Sequence, residues 1–168
     1  MQKTYLCIDL KSFYASVECV ELGLDPFKVN LVVADPTRGG GAITLAATPA
    51  IKKLGVSSRG RIFEIDPKIE YMMAPPRMHL YMEYSCKVYK VFLEFIAKED
   101  IHVYSIDESF LDATSYLKLY QVSAKELAKK ILDRIYEKTG LTATVGIGTN
   151  LYPVSYTHLR AHETSAHL

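Results

Sequence analysis

Three acidic residues, Asp9, Asp107 and Glu108, are the side chains whose types and positions could do chemistry. Asp9 lies at the end of an apolar run, residues 5–10, just ahead of a helical pattern. Asp107 and Glu108 lie between two short strand-like pieces, residues 102–106 and 109–112, the pattern of a hairpin turn. If these pieces are neighbouring strands of one sheet, the three carboxylates meet at one edge. Like charges held close together need neutralising, and hard divalent cations with oxygen ligands do so, so Mg²⁺ is the expected ion. Two such ions about 3.5–4 Å apart clamp the attacking and leaving oxygens of an in-line phosphoryl displacement. The same acids would also serve as ordinary turn and capping residues, and spacing alone leaves both readings open.

The elements that must carry these residues follow from periodicity. Residues 5–10 read as a strand, and Ser12 followed by Phe13, Val17 and Val20 at helical spacing reads as a turn into a helix. Residues 31–34 read as a second, buried strand that stops at Asp35-Pro36. Gly39, Gly40 and Gly41 follow without the Lys-Ser/Thr of a phosphate-binding loop, so a flexible turn is expected there. Pro49 opens a short helix that carries Lys52 and Lys53 and ends at Gly55. Tyr81, Tyr84, Val88, Phe92 and Phe95 share one face of a longer helix, which places the tyrosines in a core rather than on a base-stacking surface. Ser123 and Glu126 match a capping box, with Leu127, Ile131 and Ile135 forming the stripe and Gly140 the stop, and residues 141–147 resume a strand. The order predicts an α+β, ferredoxin-like (split βαβ) plan, with helices on one sheet face and the other open to substrate.

Composition bounds the function without naming it. A chain of 168 residues has room for one domain with a real core. With 49% apolar and 23% charged residues it reads as folded rather than disordered. Three cysteines without CxxC spacing argue against a disulfide framework or a common zinc site. An Asp at position 9 interrupts any signal-peptide core and no long apolar run follows, so a cytoplasmic protein with no membrane partner is expected. A formal charge of +1 supplies no electrostatic footprint for DNA.

Three motifs supply more. Residues 9–18 (Asp-Leu-Lys-Ser-Phe-Tyr-Ala-Ser-Val-Glu) resemble the first motif of the Y-family translesion DNA polymerases. Residues 104–112 (Tyr-Ser-Ile-Asp-Glu-Ser-Phe-Leu-Asp) resemble that family's Ser-Ile-Asp-Glu motif, and residues 142–150 resemble the strand that follows. Together they cover most of residues 3–152 in family order, and they most resemble the bacterial UmuC-like subgroup. The resemblance implies a palm with a small fingers insertion at roughly 35–80, within a catalytic region 1–152. It implies that Asp9, Asp107 and Glu108 are catalytic and hold two Mg²⁺ ions, Mn²⁺ being the substitute, with the Leu10 carbonyl completing the shell. Nucleotide-binding positions are then Leu10, Phe13, Tyr14, Thr48 and Lys52. Tyr14 matches the steric gate, whose flat ring under the sugar leaves no room for a 2′-hydroxyl. Amides at the helix start, residues 10–14, would face the triphosphate. Ala47 and Pro49 depart from what many members carry. The implied partners are primer-template DNA and a deoxynucleoside triphosphate, with a sliding clamp for the full-length protein, in DNA repair within the SOS response.

The ending departs from the family, which would continue into a lysine-bearing helix, a thumb and a little finger. Residues 153–168 instead concentrate His158, His162 and His167, resemble translated sequencing-adapter read-through, and are expected to be artefactual or disordered. His158 and His162 stand at i and i+4, but a metal site is the weaker reading. The fragment is expected to be inactive alone. Two other readings remain: a nucleotidyl cyclase-like phosphotransferase with paired carboxylates, and a non-catalytic ferredoxin-like module that binds nucleic acid through open-face aromatics.

Overall fold

Period-two alternation sets the central sheet. In the computed structural model, which describes residues 2–149 and the backbone of residues 157–160, β1 (Tyr5–Asp9) turns Leu6 and Ile8 inward and leaves Tyr5, Cys7 and Asp9 half-buried. Its neighbour β6 (Glu108–Asp112) does the same with Ser109 and Leu111. The register pairs Leu6 with Leu111 and Ile8 with Ser109 on the buried face, and Cys7 with Phe110 and Asp9 with Glu108 on the other. A slip of one residue would exchange these faces, so the apolar pattern holds the acids in place.

The full sheet runs β5-β6-β1-β7-β8, where β5 is Ile101–Ser105, β7 is Thr144–Gly148 and β8 is Thr157–Arg160. Every pairing is antiparallel. Without β8, the order is that of a ferredoxin-like sheet, as the sequence predicts. The backbone of β8 lies in the stretch expected to be outside the family fold, yet it pairs with residues 144–147 of β7. Asn150, the remaining tail positions and the side chains of the three tail histidines lie outside the described residues.

The described residues divide into two compact units, one made of those up to Lys11 and from Glu83 onward, the other of Ser12–Met82. In the first, α5 (Ala124–Thr139) carries the expected capping box, reciprocal between Ser123 and Glu126, and buries Leu127, Ile131 and Ile135. Gly140 closes it at φ 76°, a conformation that favours glycine. One helix went unread: α4 (Thr114–Tyr120), whose residues present no continuous apolar stripe and bury none of their number.

In the second unit, α1 (Phe13–Leu22) follows Ser12, which sits in the left-handed region at φ 52°. The strand read at residues 31–34 is β2 (Leu31–Val33), and it belongs to a second sheet of order β3-β2-β4, with β3 at Ala46–Ala47 and β4 at Met72–Ala74. The glycine-rich segment is a 3₁₀ turn, Pro36–Gly41, capped by the Asp35 carboxylate through the Thr37 amide. The short helix α2 is Pro49–Lys52, and Val32, Ala47, Ile51 and Ile65 form one buried apolar cluster of this unit. The long helix α3 is Met78–Phe95; Tyr81, Tyr84, Val88 and Phe92 are buried as their spacing predicts, while Phe95, expected on the same face, is half-buried.

Candidate functional site

The register that buries Leu6 and Ile8 places Asp9 directly opposite Glu108 on one side and Thr144 on the other. Asp107 precedes Glu108 in a two-residue turn, Ile106-Asp107, joining β5 to β6. The turn is therefore one residue earlier than expected, and Glu108 is already a strand residue. Two hydrogen bonds hold this turn: the Leu10 amide donates to the Asp107 carbonyl at 2.9 Å, and the Ser85 hydroxyl donates to the Ile106 carbonyl at 2.7 Å. The three acids thus share one end of the sheet, as their spacing predicts, and all are half-buried.

Each acid has a partner of its own. Asp9 accepts from the Lys11 ammonium at 2.9 Å, and that lysine is 62% exposed. Asp107 accepts from the Ser105 hydroxyl at 2.9 Å. Glu108 is 3.8 Å from the Cys7 thiol, which donates weakly to it. Burial, then the charges of Glu108 and Asp9, push that thiol up to about 11, so it is a neutral thiol at physiological pH. Among the described residues no group of three or more His, Cys, Asp or Glu side chains is gathered closely enough to hold an ion. The positions and donor chemistry nevertheless fit a hard divalent cation: oxygen donors at one sheet end, with a surface ammonium already drawn to Asp9. None of the partners is a buried charge that would resist replacement.

The nucleotide-contact candidates fare unequally. Leu10 buries its side chain and spends its amide on Asp107, so that amide cannot serve an anion. In the second unit, Phe13 is buried and Tyr14 is half-buried, its ring stacked on Tyr81 with centroids 4.5 Å apart and planes 16° off parallel. Lys52 is exposed in the last turn of α2. Thr48 departs from the expected nucleotide contact. It is fully buried, its hydroxyl donates to the Val29 carbonyl at 2.8 Å and accepts from the Leu31 amide at 3.1 Å, and it caps α2.

Residues that sequence reasoning missed are those that position others. Ser85 pins the acidic turn from α3. Glu18, 3% exposed, is held by Arg77 and Tyr81 in the second unit. The available signal was a glutamate on a helix among buried residues, which needs a partner.

The model of the impB/mucB/samB family matches residues 8–152. The chain is 42% identical over 153 residues to the putative UV-damage repair protein UvrX of Bacillus subtilis (strain 168), covering 89% of this chain and 35% of that protein. It is 41% identical over 109 residues to the DNA repair protein homolog YozK of the same organism, covering 63% of this chain and 93% of that protein. Among solved structures, a Y-family DNA polymerase chimera of Dbh and Dpo4 superposes with a TM-score of 0.75 at 27% identity, over 89% of this chain and 44% of that one. DinB from Sulfolobus solfataricus gives 0.72 at 29%, over 88% and 42%. The chain thus spans about a third of UvrX and under half of these structures, though nearly all of YozK. Within residues 8–152, with a palm-like sheet carrying Asp9, Asp107 and Glu108, this chain belongs to the impB/mucB/samB family, the UmuC- and DinB-like group of its motifs.

Proposed function

We propose that this chain is the palm and fingers of a DNA-directed DNA polymerase of the translesion type, adding a deoxynucleotide to a primer 3′-hydroxyl. The observation that carries the reading is the register pairing of Asp9 with Glu108, beside a pinned turn bearing Asp107. These three carboxylates would hold two Mg²⁺ ions, Mn²⁺ substituting. Bound there, divalent cations lower the barrier to in-line displacement by stabilising the attacking and leaving oxygens. The protein's own part is positioning. Turn hydrogen bonds from Leu10 and Ser85 fix Asp107, and the apolar register fixes Asp9 against Glu108. Tyr14 is assigned the sugar gate, and Phe13 and Lys52 further nucleotide contacts, on the motif resemblance. Thr48 enters the proposal as the cap that holds the helix bearing Lys52.

The proposal divides the chain into a catalytic region at 1–152, with fingers at roughly 35–80, and a tail at 153–168 that is foreign to the family. It takes primer-template DNA and a deoxynucleoside triphosphate as partners, in cytoplasmic DNA repair under the SOS response, with a sliding clamp engaged by the longer protein. Among the described residues no helix is long and apolar enough to cross a membrane. The 168-residue chain should bind Mg²⁺, with Mn²⁺ as substitute, and a deoxynucleotide weakly but extend no primer. The decisive test is replacement by alanine, in full-length UvrX, of the aspartate that matches Asp107. Nucleotide insertion should fall by at least about a hundredfold, the scale of losing one preorganised electrostatic group. Full activity would overturn the assignment.

A further inference from the structure

The second unit contains a built polar anchor that no step above uses. Glu18, on α1, is 3% exposed and accepts from Arg77 Nε at 3.1 Å, from Arg77 Nη2, and from the Tyr81 hydroxyl at 2.7 Å. Tyr81 is fully buried, and burial followed by the hydrogen bond to Glu18 raises its phenol above the ordinary tyrosine range. Arg77 is half exposed, and its hydrogen bond to Glu18 raises its guanidinium further above the ordinary range. A buried carboxylate with three donors has little freedom to move, and it fixes the phenol end of Tyr81. The other property of Tyr81 is its stack on Tyr14, at 4.5 Å and 16°. Tyr14 also lies at a tilt to Phe13, with centroids 5.8 Å apart, so its ring is bounded by two aromatics.

We propose that Tyr81, anchored by the Glu18–Arg77 pair, is a positioning residue that sets the orientation of the Tyr14 ring and through it the discrimination between deoxyribose and ribose. The inference rests on the gate role proposed for Tyr14. A gate excludes a 2′-hydroxyl only if its ring cannot swing aside, and a half-buried tyrosine has two free torsions unless something packs on its face. Tyr81 provides that face. Its own ring is kept from turning because the hydroxyl is tied to a carboxylate that Arg77 holds in turn.

The test uses the 168-residue chain. Affinities for dATP and ATP would be measured with Mn²⁺ for the wild type, Tyr14→Ala, Tyr81→Leu, Tyr81→Phe and Glu18→Gln. The Tyr14 ring resonances would be followed in isotope-labelled protein of the same set, assigned through Tyr14→Phe. Tyr81→Leu should reduce the dATP-over-ATP preference by about three- to tenfold, the range an aromatic stack is worth, with the change arising in the ATP arm. Tyr81→Phe should keep most of the preference, and Glu18→Gln should lie between. The ring resonances of Tyr14 should move in the order Leu, Gln, Phe. If Tyr14→Ala abolishes the preference while Tyr81→Leu and Glu18→Gln leave it intact, the anchor is overturned and the gate stands. If Tyr14→Ala leaves the preference intact, the gate reading fails and the anchor's functional role fails with it. Should Tyr81→Leu not fold, Glu18→Gln decides: Tyr14 resonances identical to wild type overturn the proposal. The same spectral criterion applies if the chain binds neither nucleotide.

Discussion

The acids of the two units are used in opposite ways. Glu18 in the second unit is buried and satisfied by an arginine and a tyrosine. In the first unit, Asp9, Asp107 and Glu108 are half-buried and are partnered, among the described residues, by a surface lysine, a serine hydroxyl and a thiol. The difference separates an acid that stabilises a fold from acids that can exchange partners. A buried carboxylate recovers its desolvation cost only with strong, permanent donors. A carboxylate meant to take a cation must keep partners that are easily displaced. Residue type alone does not distinguish the two, because all four are acids, Glu18 within a helix and the others at strand ends or a turn.

Breaking the comparison at its stable end should have the largest effect. Glu18→Ala leaves the Tyr81 hydroxyl buried without its acceptor and should cost about 3 kcal/mol of stability, read from denaturant midpoints. Asp107→Ala should cost close to nothing, and a loss for Asp107→Ala equal to that for Glu18→Ala would erase the distinction. Next in size, Asp107→Asn should weaken Mn²⁺ binding by at least about tenfold, measured by the free-ion paramagnetic signal, while Glu18→Gln leaves it unchanged. Equal affinities for the two variants would show that the sheet-end acids are not the ligands.

Smaller effects sharpen the picture of the first unit. Ser123→Ala removes the reciprocal cap of α5 and should cost about 1 kcal/mol without altering Mn²⁺ affinity, since the cap is remote in sequence from every acid of the site. Asp112 supplies a pH signature. Burial pushes its carboxyl up, but hydrogen bonds from the Thr114 side chain and amide, and from Lys3, outweigh this and hold it below the ordinary aspartate range. A depressed folded value stabilises above the unfolded pKa of about 3.9, and the contribution disappears as pH falls through the folded value. The stability gap between wild type and Asp112→Asn should therefore close on acidification from pH 5 to pH 2, and should stay below about 1 kcal/mol throughout because Lys3 is solvent-exposed. A gap that widened in acid would contradict the sign.

Much of the fold was legible because its signals are local. The capping box at Ser123 and Glu126, the stripe through Leu127, Ile131 and Ile135, and the Gly140 stop each lie within one helix. So does the buried face of Tyr81, Tyr84, Val88 and Phe92. Helix α4 was illegible because its segment buries no residue and so carries no packing stripe. The strand at residues 31–33 was recognised, but its membership of a separate sheet was not, since its parallel partner β4 is some forty residues away. The three candidate acids stand out by their type and their motifs, and the structure brings them to one end of the sheet. Thr48 came only from the family resemblance, which carries no information on its packing: its hydroxyl closes three backbone contacts.

The amino-acid sequence by itself determined which residues could carry the chemistry, where strands and helices run, and to which family the motifs point. Alternation, capping and apolar spacing act within a few residues and can be read along the chain. Only the tertiary structure decided that Asp9 stands opposite Glu108, that Ser85 pins the acidic turn, and that Glu18 anchors the tyrosine stacked on Tyr14. These pairings join residues about twenty to a hundred positions apart. They are set by strand register and core packing, which depend on every buried side chain at once and leave no local signature.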